Sequence, residues 1–174
     1  PEPDLPPFQF SKKEIESLKA HLPELPQQRR KRLLEEYDLG EKETEVFVRN
    51  KDMGEYFEKV VSELGPGLAH ERLKKLTKLS ANYILSDLMG LLGAAGEPRT
   101  RTSSVRGEDF LITPENFAEL ILLIEKGEIS SAIAKQVLKE MFAKGGDPSH
   151  IIDDKGLVQV IDEKKIQGIA QEII

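Results

Sequence analysis

The residues of this chain best placed to do chemistry are cations that could meet phosphate. Lys135 and Lys139 stand four residues apart, so on a helix they share one face, and Lys144 follows. Just before them, Gly127, Ser130 and Ser131 lie where that helix would open. Backbone N–H groups in a first helical turn have no partner within the helix and attract anions. Two other basic runs stand apart from these, Arg29-Arg30-Lys31-Arg32 and the group Lys74, Lys75 and Lys78. A lysine or arginine that neutralises a nucleic-acid phosphate releases condensed counterions, which makes binding salt-dependent. Each run also has a plainer reading. Four consecutive cations spread around a helix, and Glu35, Glu36 and Asp38 follow at once, so Arg29 to Arg32 read first as a solvated face with local ion pairs. Glu128 and Glu140 stand near Lys135 and Lys139, which could equally be solvated helix surface.

No constellation for bond-making chemistry accompanies them. There is no glycine-rich phosphate cradle and no Ser/His/Asp or Cys/His arrangement. The chain has no cysteine, and His21, His70 and His150 are scattered without metal-ligand spacing. Asp153-Asp154 reads as a polar helix end. Glu14, Glu35, Glu36 and Asp87 read as helix surfaces or caps. The residues therefore predict no catalytic group, no metal site and no cofactor site in this chain.

The elements that must position the lysines run from Ile112 to Pro148, two helices joined by a glycine turn. Thr113 can cap the first, with Pro114 at its first helical position, and Phe117, Leu120, Ile121 and Ile124 form its apolar stripe. Gly127 fits the left-handed position after a helix. Ser130 or Ser131 opens the second helix, with Ile133, Val137, Leu138, Met141 and Phe142 inward, and Gly145-Gly146 stops it. Asp147-Pro148 starts a short helical turn through Ile151 and Ile152 that Gly156 ends. An extended apolar stretch from Leu157 to Ile161 and a last helix with Ile166, Ile169, Ala170 and Ile173 inward complete the pattern.

The first half reads as helices too. Pro1 to Pro7 holds four prolines in seven residues and is extended. Ser11 and Glu14 make a capping box for a short helix with Ile15, Leu18 and Leu22 as its inner face, ended by Pro23. Pro26 precedes the arginine-bearing helix with Leu33, Leu34 and Tyr37. Leu39-Gly40 breaks it, and a short helix follows around Val46 and Phe47. Met53, Tyr56, Phe57, Val60, Val61 and Leu64 form the next stripe, ended by Gly65-Pro66-Gly67. The longest helix is expected from Ala69 to Leu92, with Leu73, Leu76, Tyr83, Ile84, Leu88 and Leu91 inward. Asn82 lies beside its stripe, where a core hydrogen bond is the plainer role. Residues 93–109 carry three arginines among Gly, Ser and Thr, the composition of a flexible linker. The expected organisation is all-α: a connector over 1–10, a helical bundle over 11–92, the linker, and a smaller helical tail domain over 110–174.

With 39% hydrophobic and 32% charged residues, the balance suits amphipathic helices with solvated outer faces. A net charge of −6 argues against a general nucleic-acid binder and leaves room for local basic patches. No apolar run approaches the ~20 residues that span a bilayer, so no membrane role is expected. Pro1 follows no methionine and Ile174 falls inside a helix pattern, so a fragment of a longer protein is expected.

Three stretches carry a resemblance. Gly127, Ile129, Ser130, Ala134 and Lys135, as G-x-I-S-x-x-x-A-K, resemble the tail domain of the B subunit of tRNA-dependent amidotransferases (GatB, a domain shared with the YqeY family). PEPDLPP, Pro1 to Pro7, and KLSANYILSDL, Lys78 to Leu88, resemble two other landmarks of that subunit in the same order. The resemblance implies a complex that mends misacylated tRNA. One subunit frees ammonia from glutamine. The B subunit uses ATP and magnesium to phosphorylate the side-chain carboxylate of Glu-tRNA(Gln) or Asp-tRNA(Asn), and ammonia displaces the phosphate. By that resemblance the catalytic residues, ATP and magnesium belong to a domain outside this chain. Its partners would be tRNA and the amidase (A) and small (C) subunits, in the cytoplasm. This chain would grip the tRNA body. Family tails often carry Gly-Lys where Ser131-Ala132 stand here, so one cation is missing and weaker binding is expected. The competing expectation is a helical protein–protein interaction module with no RNA contact.

Overall fold

A computed structural model describes residues 10–21, 24–65, 68–94 and 111–157, and every regular element in them is helical. Residues 1–9 of the connector, most of the 93–109 linker, Leu22, Pro23, the expected extended stretch beyond Leu157 and the expected last helix lie outside the described residues.

Helix α1 (Lys12–His21) opens on the expected box: the Ser11 N–H donates to Glu14 Oε2 at 2.7 Å, and the Glu14 N–H donates to Ser11 Oγ. Its apolar stripe does not face a core. Ile15 and Leu18 are 41% and 56% exposed. The core is closed by later helices, which leaves α1 on the outside.

Helices α2 (Pro26–Tyr37), α3 (Glu41–Arg49), α4 (Lys51–Leu64) and α5 (His70–Tyr83) build that core. Asn50 caps α4 by accepting the Met53 N–H at 3.2 Å, a contribution of about 1 kcal/mol. All six residues of the expected α4 stripe are buried. Phe47 of α3 stacks on Phe57 of α4 with ring centroids 4.5 Å apart. The two helices approach closely at Gly54, where a Cβ would stand 2.6 Å from the Phe47 carbonyl oxygen and 2.7 Å from Arg29 Nη2.

The expected long helix is continuous but not uniformly α. Between α5 and α6 (Met89–Ala94), residues Ile84–Leu88 form a π-helical turn. The wider turn inserts one residue into the α register, and both Ile84 and Leu88 end fully buried. Thr77 and Ser80 are buried polar residues whose hydroxyls donate to the carbonyls of Leu73 and Leu76, each at 2.8 Å. Asn82 is exposed and makes no core hydrogen bond; its backbone carbonyl accepts from Ser86 Oγ at 2.7 Å.

Helices α7 (Pro114–Glu125), α8 (Ser131–Lys144) and α9 (Pro148–Lys155) follow. Thr113, Ser130 and Asp147 cap them in turn, with proline at the first position of α7 and α9. Helix α7 lies against α4. Tyr56 and Phe117 meet edge to face at 5.9 Å, and the Tyr56 hydroxyl donates to the Ile112 carbonyl at 3.3 Å. Burial raises the ionisation of that phenol well above its ordinary range. Phe117, Leu120 and Ile121 join Phe57, Val60 and Leu88 in one apolar cluster. The core is therefore continuous between residues on either side of the 93–109 stretch.

Candidate nucleic-acid interface

The turn between α7 and α8 shows which backbone donors are open. Gly127, at φ 75°, lets the chain turn back. Its N–H donates to the Ile124 carbonyl and the Glu128 N–H to that of Leu123, each at 3.1 Å. Those two donors are spent on closing α7, so the run from Gly127 to Ser131 is not free as a whole. Ile129 is buried, and Ser130 Oγ accepts the Ile133 N–H at 3.4 Å. Ser131 and Ala132, both exposed, keep the open N–H groups of the first turn.

Behind this mouth, Ala134, Val137, Leu138 and Met141 are fully buried, while Lys135 and Lys139 are exposed on the outer face, as their spacing predicts. Their electrostatic settings differ. Lys135 Nζ lies 3.0 Å from Asp87 Oδ1. Lys139 has no carboxylate partner among the described residues. Lys144 pairs with Glu140 at 3.2 Å, and Lys155 reaches the same carboxylate at 2.6 Å. Hydrogen bonds from Lys155 and then Lys144 hold the Glu140 carboxyl below its ordinary range.

The other basic runs are placed differently. Arg29 is 9% exposed and pairs with Glu58 at 3.0 Å. Arg32 is held between Glu24 at 2.6 Å and Glu58 at 3.1 Å, which pushes its ionisation higher still and draws Glu24 below the carboxylate range. Arg30 and Arg49 share Glu45 above a groove of about 570 Å³ between α2 and α3. Lys78 reaches Asp38 at 2.8 Å, and that contact lowers Asp38. Lys74 is half-buried and Lys75 exposed, neither in an ion pair among the described residues. No ion pair or hydrogen bond among the described residues joins the lysines of α8 to the arginines of α2.

Among the described residues no group of three or more His, Asp or Glu side chains is placed to hold a metal ion. No helix among the described residues is long and apolar enough to cross a membrane.

Comparison with known proteins decides what this helical body is. The model of the GatB domain family matches residues 55–174, which is most of the chain. The chain belongs to the GatB domain family. It is 35% identical over 173 residues to the B subunit of the aspartyl/glutamyl-tRNA(Asn/Gln) amidotransferase of Clostridium beijerinckii, covering 99% of this chain and 32% of that protein. It is 38% identical over 174 residues to the proteins of the same name from Persephonella marina and Rickettsia rickettsii, covering all of this chain and 33% and 32% of theirs. The chain thus spans about a third of the length of these relatives. The GatB domain match begins inside α4, so the matched region takes in α5, the π-turn and the packing of α4 on α7.

Within this GatB domain Asp87 has a contact that sequence reasoning missed. It reads as helix surface, yet its side chain is only 19% exposed and holds Lys135. The contact ties two of the stretches that carry the family resemblance, since Asp87 lies in Lys78 to Leu88 and Lys135 ends the tail motif. Arg72 with Glu125, 2.7 Å apart, is a second ion pair of this kind, and no local pattern announces either one.

Proposed function

We propose that this chain is a tRNA-gripping part of the B subunit of an amidotransferase that converts Glu-tRNA(Gln) or Asp-tRNA(Asn) to the amide form. In this reading ATP, magnesium and the catalytic groups belong to other parts of the same protein. The A and C subunits are its protein partners in the cytoplasm, and the chain supplies binding and orientation. The observation that carries the reading is the match of the whole chain to the B subunits of tRNA amidotransferases, with an outward row of lysines on α8. The contact is assigned to the mouth of α8, where Ser131 and Ala132 offer open N–H groups and Lys135 and Lys139 share the outer face. Such a patch positions RNA by its phosphates rather than by reading bases. Titrating the chain with a tRNA transcript over a salt series tests it. Binding should weaken as salt rises, and the chain alone should show no ATP hydrolysis stimulated by misacylated tRNA. Salt-independent binding or no binding would refute the contact.

A helical protein-interaction module without RNA contact is the second reading. The exposed apolar residues around α1 favour it, with Phe10, Leu18 and Leu25 each more than half exposed. Absence of any shift with tRNA would select it.

A further inference from the structure

The Lys135–Asp87 contact sits at the edge of the proposed tRNA site, and its geometry bears on how that site is regulated. Asp87 lies in the π-helical turn, whose extra residue changes which side chains the helix presents to α8. Its carboxylate is approached from two directions: Oδ2 lies 2.7 Å from Ser86 Oγ, whose one proton is shared with the Asn82 carbonyl, and Oδ1 lies 3.0 Å from Lys135 Nζ. The aspartate side chain is 19% exposed, whereas that of Lys135 is 55% exposed. One partner is fixed and the other is free to swing. Lys139, on the same face four residues on, has no carboxylate partner among the described residues. Two lysines that look equivalent in the sequence are therefore not equivalent to an arriving phosphate. Lys139 is ready, and Lys135 must first leave Asp87.

We propose that Asp87 is an internal competitor for the phosphate backbone: it occupies Lys135 in the free protein and gives it up when RNA binds at the mouth of α8. The inference rests on the tRNA reading given above. Its physical basis is that an ion pair with one exposed partner contributes little by itself, so a phosphodiester aligned with the open N–H groups of Ser131 and Ala132 can displace the carboxylate. Asp87 also keeps a negative charge beside the site, which weakens every phosphate contact nearby. Binding is thereby tuned down rather than abolished. RNA that engages only Lys139 gains little, whereas RNA that reaches both lysines also frees the π-turn from α8.

The consequence has an unusual sign. Removing an acidic residue that lies outside the lysine row should strengthen binding. Asp87→Asn should bind a tRNA transcript about three- to tenfold more tightly than wild type at low salt, the range expected for removing a weak pair and one nearby like charge. Its melting temperature should fall slightly or stay level, because a strut to α8 is lost. The affinity gain should shrink in the Lys135→Ala background to the smaller part due to the like charge, the signature of coupling between the two residues, and a gain undiminished there would overturn the competitor role. Asp87→Glu, which keeps the charge, should show no gain. If Asp87→Asn does not fold, Asp87→Ser makes the same comparison. Wild-type binding with unchanged or weaker affinity in folded Asp87→Asn or Asp87→Ser overturns the competitor role and leaves Asp87 a strut. Failure of wild type and variants alike to bind tRNA overturns the tRNA reading and this inference together.

Discussion

The arginines of α2 and the lysines of α8 look alike as sequence and are placed in different settings. On α2 the cations are consecutive, so they point all around the helix. Arg29 turns inward over Gly54, and Arg32 is clamped between two carboxylates. Their charge holds α2 against α4 through Glu58. On α8 the spacing of four keeps Lys135 and Lys139 on one outer face over a fully apolar inner one. The lesson is that the density of positive charge predicts little about phosphate binding. On α2 the carboxylates Glu24, Glu45 and Glu58 have taken the charge, and on α8 Asp87 holds Lys135 while Lys139 has no carboxylate partner among the described residues.

That contrast is most easily broken at Glu58, which serves Arg29 and Arg32 together. Removing one partner of a buried pair strands the other, at about 3–5 kcal/mol when burial is complete. Glu58 is a quarter exposed, so the cost is discounted. Glu58→Ala is expected to lose about 2 kcal/mol in urea unfolding. A loss below about 0.5 kcal/mol, the ordinary range for exposed pairs, would put the α2 cluster in the same class as the α8 lysines.

A second test asks whether α7 keeps its place against α4 and α5 without the chain that joins the halves. We expect limited trypsin to cut first at Arg99, Arg101 or Arg106, in the stretch with linker composition. Because the described core runs from α4 into α7, the two pieces should stay together in size-exclusion chromatography and part only in denaturant. First cleavage between Leu73 and Leu91, or immediate separation of the pieces, would contradict this.

A smaller effect is expected from acid. Glu24, Asp38, Glu45 and Glu140 are all held below their ordinary ionisation, chiefly by hydrogen bonds from Arg32, Lys78, Arg30 and Lys155 respectively. A carboxylate depressed in the folded state stabilises the fold above its unfolded value, and that stability disappears as pH falls through the folded value. The melting temperature should be level from neutrality down to about pH 5 and fall below about pH 4, where unfolded carboxylates begin to protonate. Because these groups are mostly exposed, the decline should be shallow and should shrink in high salt. A melting temperature that rises on acidification would contradict the ion-pair assignments.

Much of the fold was legible because its signals are local. Ser11, Thr113, Ser130 and Asp147 each cap the helix they precede, and the α4, α7 and α8 stripes face inward in the expected register. Two features were not legible. The face of Ile15 and Leu18 has the right period for burial, but period alone does not say whether a neighbour exists to cover it. The π-turn has no local signal, and the contact of Asp87 with Lys135 joins that turn to α8 across 48 residues of sequence. No windowed pattern reaches that far. The candidate site was legible as far as its lysines and its glycine turn. It was misjudged in its donors, because closing α7 consumes the N–H groups of Gly127 and Glu128.

The most direct test of the contrast between α2 and α8 is the salt dependence of tRNA binding in the Lys135→Ala, Lys139→Ala double variant. Alanine is the better helix former, so α8 should remain intact. The account predicts weaker binding and a slope of log affinity against log salt flatter by about 1.5, close to two phosphate contacts. A folded double variant with the affinity and slope of the wild type would contradict it and move the RNA contact away from α8.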